Sequence, residues 1–393
     1  DAPTNSTELK HTNRTVVLVS VDALRWQYLQ EPALASSRST LDALVQEGAA
    51  ARMQPVFPSS TFPNHYSIVT GLYPESHGIV ANHIYDPSTD SYYNVGDEQA
   101  MNDPSWYEAE ALWTTIQAQG KRSGTMFWPG STVTGMEPTY TVPYDQSIPY
   151  TDRVNQVLAW LDLPASQRPS FVTLYLEGVD TAGHNGGVSA SSISGALAEV
   201  DEALGQLVAG LQARSATVQD VNLIIVSDHG MTDVSDSQEI LLDDYIDLEE
   251  DCEVLGWGAY ASIYPKNGRA AQLLYQLQDA PHVSVYGKED IPNRYHYQNN
   301  DRIPDVLAVA DEGWCITSTA RSASKCQGGN HGYDNDLDSM AAVLIAHGEY
   351  FQQGYTAPSA VSNLDVYSLI ARCLGCTANP NNGTWTNLFD MLA

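Results

Sequence analysis

The chain has 393 residues and a hydrophobic fraction of 43%, enough to bury a sizeable core as one large α/β domain or two smaller ones. Its 48 Asp plus Glu against 18 Lys plus Arg leave a formal net charge of -30, which argues against nucleic-acid duplexes and anionic lipid as partners. No apolar run approaches the ~20 residues of a membrane span, so stable membrane insertion is not expected.

Residues 1–14, rich in Ser, Thr and Asn, read as a solvated tail ahead of a body over 15–393. Thr15–Val21 is a continuous apolar, β-branched run, the pattern of a strand buried on both faces of a parallel sheet. Phe57-Pro-Ser-Ser leads into a helix-like segment, 62–71. Further helical patterns fall at 39–48, 105–119, 150–162, 189–213 and 363–374. Strand-like runs recur at Phe171–Leu176, Val221–Val226 and 341–346. Strand and helix alternating at this spacing predict a doubly wound, mostly parallel α/β sheet with helices on both faces. Residues of about 232–330 lose the alternation and read as a small insertion on the sheet's active edge, not an independent domain.

The polar residues at the strand ends carry the chemistry. Asp22, Glu177 with Asp180, and Asp228 with His229 each follow a predicted strand, at the edge where open α/β sheets bind ligands. Asp180 and His184, spaced i, i+4, with His331 form one candidate metal site; Asp22, Asp228 and His229 form a second. Two such ions, about 4 Å apart, can clamp the attacking and leaving oxygens of an in-line displacement. Thr61, at the start of a helix, is the candidate nucleophile, and metal coordination can activate its hydroxyl. Asn82 offers an amide donor to a nonbridging oxygen. Taken singly, Thr61 reads as an N-cap, Asp22 and Asp228 as caps of following helices, and His65, His77 and His83 as structural. Joint occurrence of Asp-x-x-x-His and Asp-His at one sheet edge favours the site. The chemistry expected is two-metal hydrolysis of a phosphate ester, and nitrogen-bearing sites favour zinc over magnesium.

Five cysteines leave one over if two bridges form. Cys373-x-x-Cys376 is open to a zinc half-site, a redox motif or a tight disulfide, with the disulfide the simplest. Sequons at Asn5, Asn13 and Asn382, together with the cysteines, lead to the expectation of a secreted, glycosylated, disulfide-bonded protein.

Phe57-Pro-Ser-Ser-Thr-Phe-Pro-Asn-His-Tyr66 and Thr70-Gly-Leu-Tyr-Pro-Glu-Ser-His-Gly78 closely resemble the nucleotide pyrophosphatase/phosphodiesterase family of the alkaline phosphatase superfamily. The likeness continues through Phe127-Trp-Pro-Gly-Ser131, the segment from Arg153 to Leu161, Ser227-Asp-His-Gly-Met231 and His331-Gly-Tyr-Asp-Asn335. The resemblance implies a threonine nucleophile at Thr61 and two zinc ions, one on Asp180, His184 and His331, the other on Asp22, Asp228 and His229. It implies that Asn82 helps hold the phosphoryl oxygen, and that Phe62 and Tyr144 sandwich a nucleotide base. Trp128 stands beside them, with core packing as its other reading. The sequence departs from the family at Glu177-Gly-Val-Asp180, where many members read Glu-Glu-Pro-Asp, and at Thr132, where an acidic residue is common. The expectation is a bare catalytic domain that cleaves nucleotide phosphodiesters or pyrophosphates to nucleoside 5′-monophosphate. The alternative is a head-group phosphodiesterase acting on phospholipids or glycerophosphodiesters with the same metal site.

Overall fold

The apolar runs predicted as strands pair in one nine-stranded sheet. The computed structural model describes residues 14–393 apart from 217, 219–220 and 322–325. The expected N-terminal tail up to residue 13, with the sequons at Asn5 and Asn13, therefore lies outside the described residues. The strands are β1 (Thr15–Val21), β2 (Ala49–Gln54), β3 (Ser123–Met126), β4 (Tyr140–Val142), β5 (Phe171–Leu176), β6 (Val221–Val226) and β7 (Ala342–His347), with short pieces β8 (Tyr355–Thr356) and β9 (Val361–Ser362). Their order is β8-β2-β7-β6-β1-β5-β3-β4, with β9 also on β2.

Residues along β1 divide between two cores. Val16 and Leu18 face one, and Val17, Val19 and Val21 face the other. That is the period-two alternation of a strand covered on both sides. Helices α1 (Ser39–Glu47), α4 (Tyr150–Leu161) and α6 (Ala190–Ala213) fill one side through Leu41, Val157 and Leu197. Helices α2 (Thr61–Thr70), α3 (Leu112–Ala118) and α7 (Asp365–Cys373) fill the other through Ile68, Ile116 and Leu369. The short helix α5 (Gly178–Gly186) follows β5 at the sheet edge. This is the predicted doubly wound α/β architecture.

Three differences from the sequence reading matter. The strand expected at 341–346 runs antiparallel to both neighbours, β6 and β2, whereas β1, β3, β4, β5 and β6 are mutually parallel. An apolar run reports burial and carries no direction. Here the chain reaches β7 from the ligand edge and descends. The pattern over 105–119 forms only a 3-10 turn at Pro104–Trp106 and then α3, because Trp106 and Tyr107 are core anchors and the Glu108 N–H goes to the His77 carbonyl. Cys373 and Cys376 are not joined: the disulfide is Cys315–Cys326, and Cys252, Cys373 and Cys376 are free. Cys373 closes α7 facing the core, while Cys376 lies past a Schellman turn in which Gly375 N–H meets the Arg372 carbonyl and Cys376 N–H the Ala371 carbonyl.

Residues 232–330 begin and end on one antiparallel ribbon, Thr232–Val234 against Gly328–Asn330, with Thr232 opposite Asn330. Between them, Cys252–Leu255, Tyr260–Pro265, Val306–Ala310 and Val283–Gly287 form a four-stranded antiparallel sheet. Ile263, Leu273 and Leu307 belong to the same apolar cluster as Val16 and Ile68. The ribbon has a functional consequence. It returns the chain beside His229, so His331 arrives at the edge where β1, β5 and β6 end.

Candidate active site

Each metal-binding candidate is delivered by a strand end, the turn after it or the short helix α5 that follows β5. Asp22 follows β1, and its N–H is tied to the Leu176 carbonyl at 3.0 Å. The next residue, Ala23, is held at φ 55°, a region alanine rarely enters. The Ala23 N–H donates to Asp228 Oδ1 at 3.2 Å, so the turn after β1 orients the carboxylate after β6. Asp180 and His184 lie one turn apart on α5, with His184 Nε2 3.3 Å from Asp180 Oδ1. His229 Nε2 is 3.0 Å from Asp228 Oδ2 and 3.6 Å from Asp22 Oδ1. His331 Nε2 is 3.7 Å from Asp180 Oδ1.

All six predicted ligands are therefore neighbours. The tight trios are Asp22, Asp228 and His229, and Asp180, His229 and His331. His229 belongs to both, its ring stacked on His331 with centroids 3.7 Å apart. His184 stands outside the second trio, beside Asp180, at the more exposed end.

Two observations fit this set to divalent metal. Each imidazole has Nδ1 on a backbone carbonyl: His184 on Gly329 at 2.9 Å, His229 on Gly230 at 2.8 Å, His331 on Ser59 at 3.0 Å. A carbonyl only accepts, so Nδ1 carries the proton and Nε2 keeps a lone pair for coordination. Three buried carboxylate oxygens, Asp22 Oδ1, Asp180 Oδ1 and Asp228 Oδ2, lack hydrogen-bond partners among the described residues. Orphaned anionic oxygens at such depth are costly unless a cation meets them. Carboxylate oxygen with imidazole nitrogen is a donor set that zinc accepts.

The protonation pattern shows the same tension. Burial, then the nearby Asp228 and Asp180 charges, raises Asp22 well above the usual carboxylate range. Burial would raise Asp228 as well, but His229 and His65 beside it outweigh that and hold it well below. Burial pushes His331 down to about 3, helped by the neighbouring His229 and His184.

Thr61 is the first residue of α2, and Ser60 occupies the N-cap position without a side-chain capping bond. The hydroxyl is thus not spent as a cap; Thr61 Oγ1 lies 3.3 Å from His229 Nε2, at the junction of the two trios. Asn82 Oδ1 accepts the Phe62 N–H at 3.0 Å, which leaves the Asn82 amide NH2 as a donor beside Thr61. Pro63 has no N–H, and the Asn64 N–H goes to the Ser60 carbonyl.

Of the aromatic candidates, Phe62 is partly exposed and packs edge-on against Tyr93. Tyr144 is 54% exposed and leans on Phe127 and Tyr175. Trp128 is only 4% exposed and donates Nε1 to the His65 carbonyl at 3.1 Å, which ties it to α2.

Two residues were missed. His65, left as structural, bonds the Thr61 carbonyl through Nδ1 at 2.8 Å and Ser20 Oγ through Nε2 at 2.8 Å, and lies 3.4 Å from Asp228 Oδ2. The signal was Thr61-x-x-x-His65 on one helix face. Tyr175 donates its hydroxyl to Asp22 Oδ2. Its signal was a phenol inside a strand that is otherwise apolar but for Thr173.

A helix-terminal hydroxyl facing two nests of carboxylate and imidazole, at the strand-end edge of an alkaline-phosphatase-like α/β sheet, defines a hydrolase with candidate metal sites. The sequence model described as type I phosphodiesterase / nucleotide pyrophosphatase matches residues 16–334, and the chain belongs to that family of hydrolases. It is 40% identical over 403 residues to a bis(5′-adenosyl)-triphosphatase (enpp4) of Xenopus laevis, covering 100% of this chain and 83% of that one. It is 38% identical to a venom phosphodiesterase of Macrovipera lebetinus over 96% of this chain, but spans only 45% of that protein. The solved structure of an inactive variant of murine ectonucleotide pyrophosphatase / phosphodiesterase 5, in complex with AMP, superposes with a TM-score of 0.90 at 36% identity, over 97% of this chain and 100% of that one.

Proposed function

We propose that the chain is a two-zinc phosphodiesterase and pyrophosphatase that cleaves nucleotide phosphodiesters or pyrophosphates through a threonine ester and releases nucleoside 5′-monophosphate. The observation that carries this reading is the uncapped Thr61 hydroxyl, 3.3 Å from the imidazole shared by both trios. The named relatives support the substrate class: one is a bis(5′-adenosyl)-triphosphatase, one a venom phosphodiesterase, and the murine neighbour holds AMP. Asp180, His184 and His331 would hold one ion, and Asp22, Asp228 and His229 the other. Bound zinc would supply charge that activates a coordinated hydroxyl and stabilises the attacking and leaving oxygens.

In this reading Thr61 Oγ1 bonds to phosphorus, its proton passes to solvent or the site, and the bond to the leaving group breaks. Water then cleaves the threonine ester and restores the hydroxyl. Asn82, oriented through its Oδ1 contact with Phe62 N–H, donates its NH2 to a nonbridging oxygen. His65 holds the Thr61 carbonyl while the hydroxyl reacts. Phe62 and Tyr144 receive the base.

Residues 15–393 act as one catalytic domain, with 232–330 an insertion within it. Extracellular residence is supported by the ectonucleotidase names of relatives, the Cys315–Cys326 disulfide and the exposed Asn382 sequon. No helix among the described residues is long and apolar enough to cross a membrane.

The test is Thr61→Ala, which should abolish turnover of a nucleoside-5′-monophosphate p-nitrophenyl ester while zinc content and melting temperature stay unchanged. Normal turnover in that variant removes Thr61 as nucleophile. The zinc-loaded enzyme should also prefer that ester, by kcat/KM, over p-nitrophenylphosphocholine and p-nitrophenyl phosphate. A choline-ester preference would transfer the mechanism to lipid head groups.

A further inference from the structure

The Asp22 carboxylate is asymmetric. Oδ2 accepts the Tyr175 hydroxyl, whereas Oδ1 has no hydrogen-bond partner among the described residues and lies 3.6 Å from His229 Nε2. Tyr175 itself is fixed from several sides. It pairs with Ser20 in the β1–β5 register, and its carbonyl accepts from Arg153 Nη1 at 3.1 Å. Its ring meets His65 edge-on at 5.3 Å and Tyr144 at 6.0 Å. The phenol is thus clamped while its one donor is spent on a metal-site carboxylate.

We propose that Tyr175 is a positioning residue that commits one oxygen of Asp22 to a hydrogen bond, so that the other alone is presented to a divalent ion in the Asp22–Asp228–His229 nest. The inference rests on the two-metal reading above. A carboxylate can bind a cation through one oxygen or both, and can rotate between the two modes. With Oδ2 occupied, Asp22 is confined to a single oxygen in a fixed direction. Among the described residues the Tyr175 hydroxyl bonds to Asp22, while His184 and His331, the ligands proposed with Asp180 for the other ion, are held through Nδ1 by the Gly329 and Ser59 carbonyls. Tyr175 also touches Tyr144, the exposed aromatic assigned to the base, but only through its ring. Removing the hydroxyl therefore separates metal positioning from base stacking.

The experiment is Tyr175→Phe, which retains the ring contacts, read by zinc competition with a chromogenic chelator and by steady-state kinetics on a nucleoside-5′-monophosphate p-nitrophenyl ester. Losing the outer partner of a metal ligand typically lowers affinity or activity about 10–100-fold. One of two zinc ions should be released at about 10–100-fold lower chelator strength, with the other unchanged. At limiting zinc kcat should fall by a similar factor and recover as zinc is added, with KM nearly constant. Tyr144→Ala should do the opposite, raising KM and leaving both zinc affinities alone.

Zinc affinities and kcat equal to wild type in Tyr175→Phe would overturn the inference. So would equal weakening of both ions together with a lowered melting temperature, the mark of a merely structural role. Wild-type protein that binds no zinc at all would defeat the two-metal reading instead. As a check independent of any variant, the Tyr175 hydroxyl proton in ring-labelled, zinc-loaded wild type should be protected from exchange. A phenol exchanging at the solvent rate would overturn the inference.

Discussion

Arg153→Met tests whether the buried ion pair behind the site holds that edge together. Arg153 is 1% exposed, and its guanidinium meets Glu177 through two bonds, Nη1–Oε2 at 2.5 Å and Nη2–Oε1 at 2.9 Å. It also donates to the Ile148 carbonyl at 2.8 Å and the Tyr175 carbonyl at 3.1 Å, between the rings of Phe127 and Tyr150. Methionine keeps the stem and removes the charge, leaving Glu177, 7% exposed, without its cation. Breaking one side of a buried pair costs about 3–5 kcal/mol. These abandoned carbonyls, with that of Gln146 at 3.4 Å, add about 1 kcal/mol each if water does not reach them. At about 2.1 cal/mol/K of unfolding entropy per residue, the ion-pair loss alone, about 4 kcal/mol, lowers the Tm of this 393-residue chain by about 5 °C. Urea unfolding and calorimetry of the zinc-loaded protein measure it. Adding Glu177→Gln should recover at least about 2 kcal/mol, because most of the loss is the unpaired charge. Because Arg153 also fastens the segment after Tyr144, the single variant should raise the nucleotide KM. A single variant within about 1 kcal/mol of wild type, or a double variant no better than the single, would refute the reasoning.

Asn82→Asp keeps the acceptor for the Phe62 N–H and replaces the donor with an anion, so kcat should fall by about 10²–10³ with little change in melting; activity within threefold of wild type would remove Asn82 from the phosphoryl site. His77 is buried, with Nδ1 accepting the Ile79 N–H and Nε2 against Ser67 Oγ, and burial pushes it from 6.5 down to about 3. Between those values the unfolded chain binds a proton that the folded chain refuses. Stability contributed by neutral His77 is therefore lost as pH falls, by up to about 1.4 kcal/mol per pH unit, and His77→Gln should flatten that part of the profile. Replacing Cys315 and Cys326 by serine opens a loop of sequence separation 11 and should cost about 3 kcal/mol in denaturant unfolding. Cys376→Ser, which has no bridge to lose, should stay within about 0.5 kcal/mol of wild type.

The sequence by itself determined which segments are strands buried on both sides, because runs such as 15–21 and 221–226 are mostly apolar and rich in β-branched residues. It also placed Asp22, Asp180, Asp228 and His229 at one sheet edge, since each follows such a run in a parallel arrangement. Those inferences need only local pattern and the rule that parallel strands end together. Tertiary structure alone decided the rest. It set the antiparallel course of β7, the Cys315–Cys326 pairing, the burial of Trp128 and the way His229 serves both trios. It also assigned His65 and Tyr175 to the support of Thr61 and Asp22, across 4 residues of helix in one case and 153 residues of chain in the other. Burial and periodicity are properties of a segment and can be read from its residues. Direction, pairing and the partner of a side chain are set by whichever distant group packs against it, and no local pattern encodes that choice.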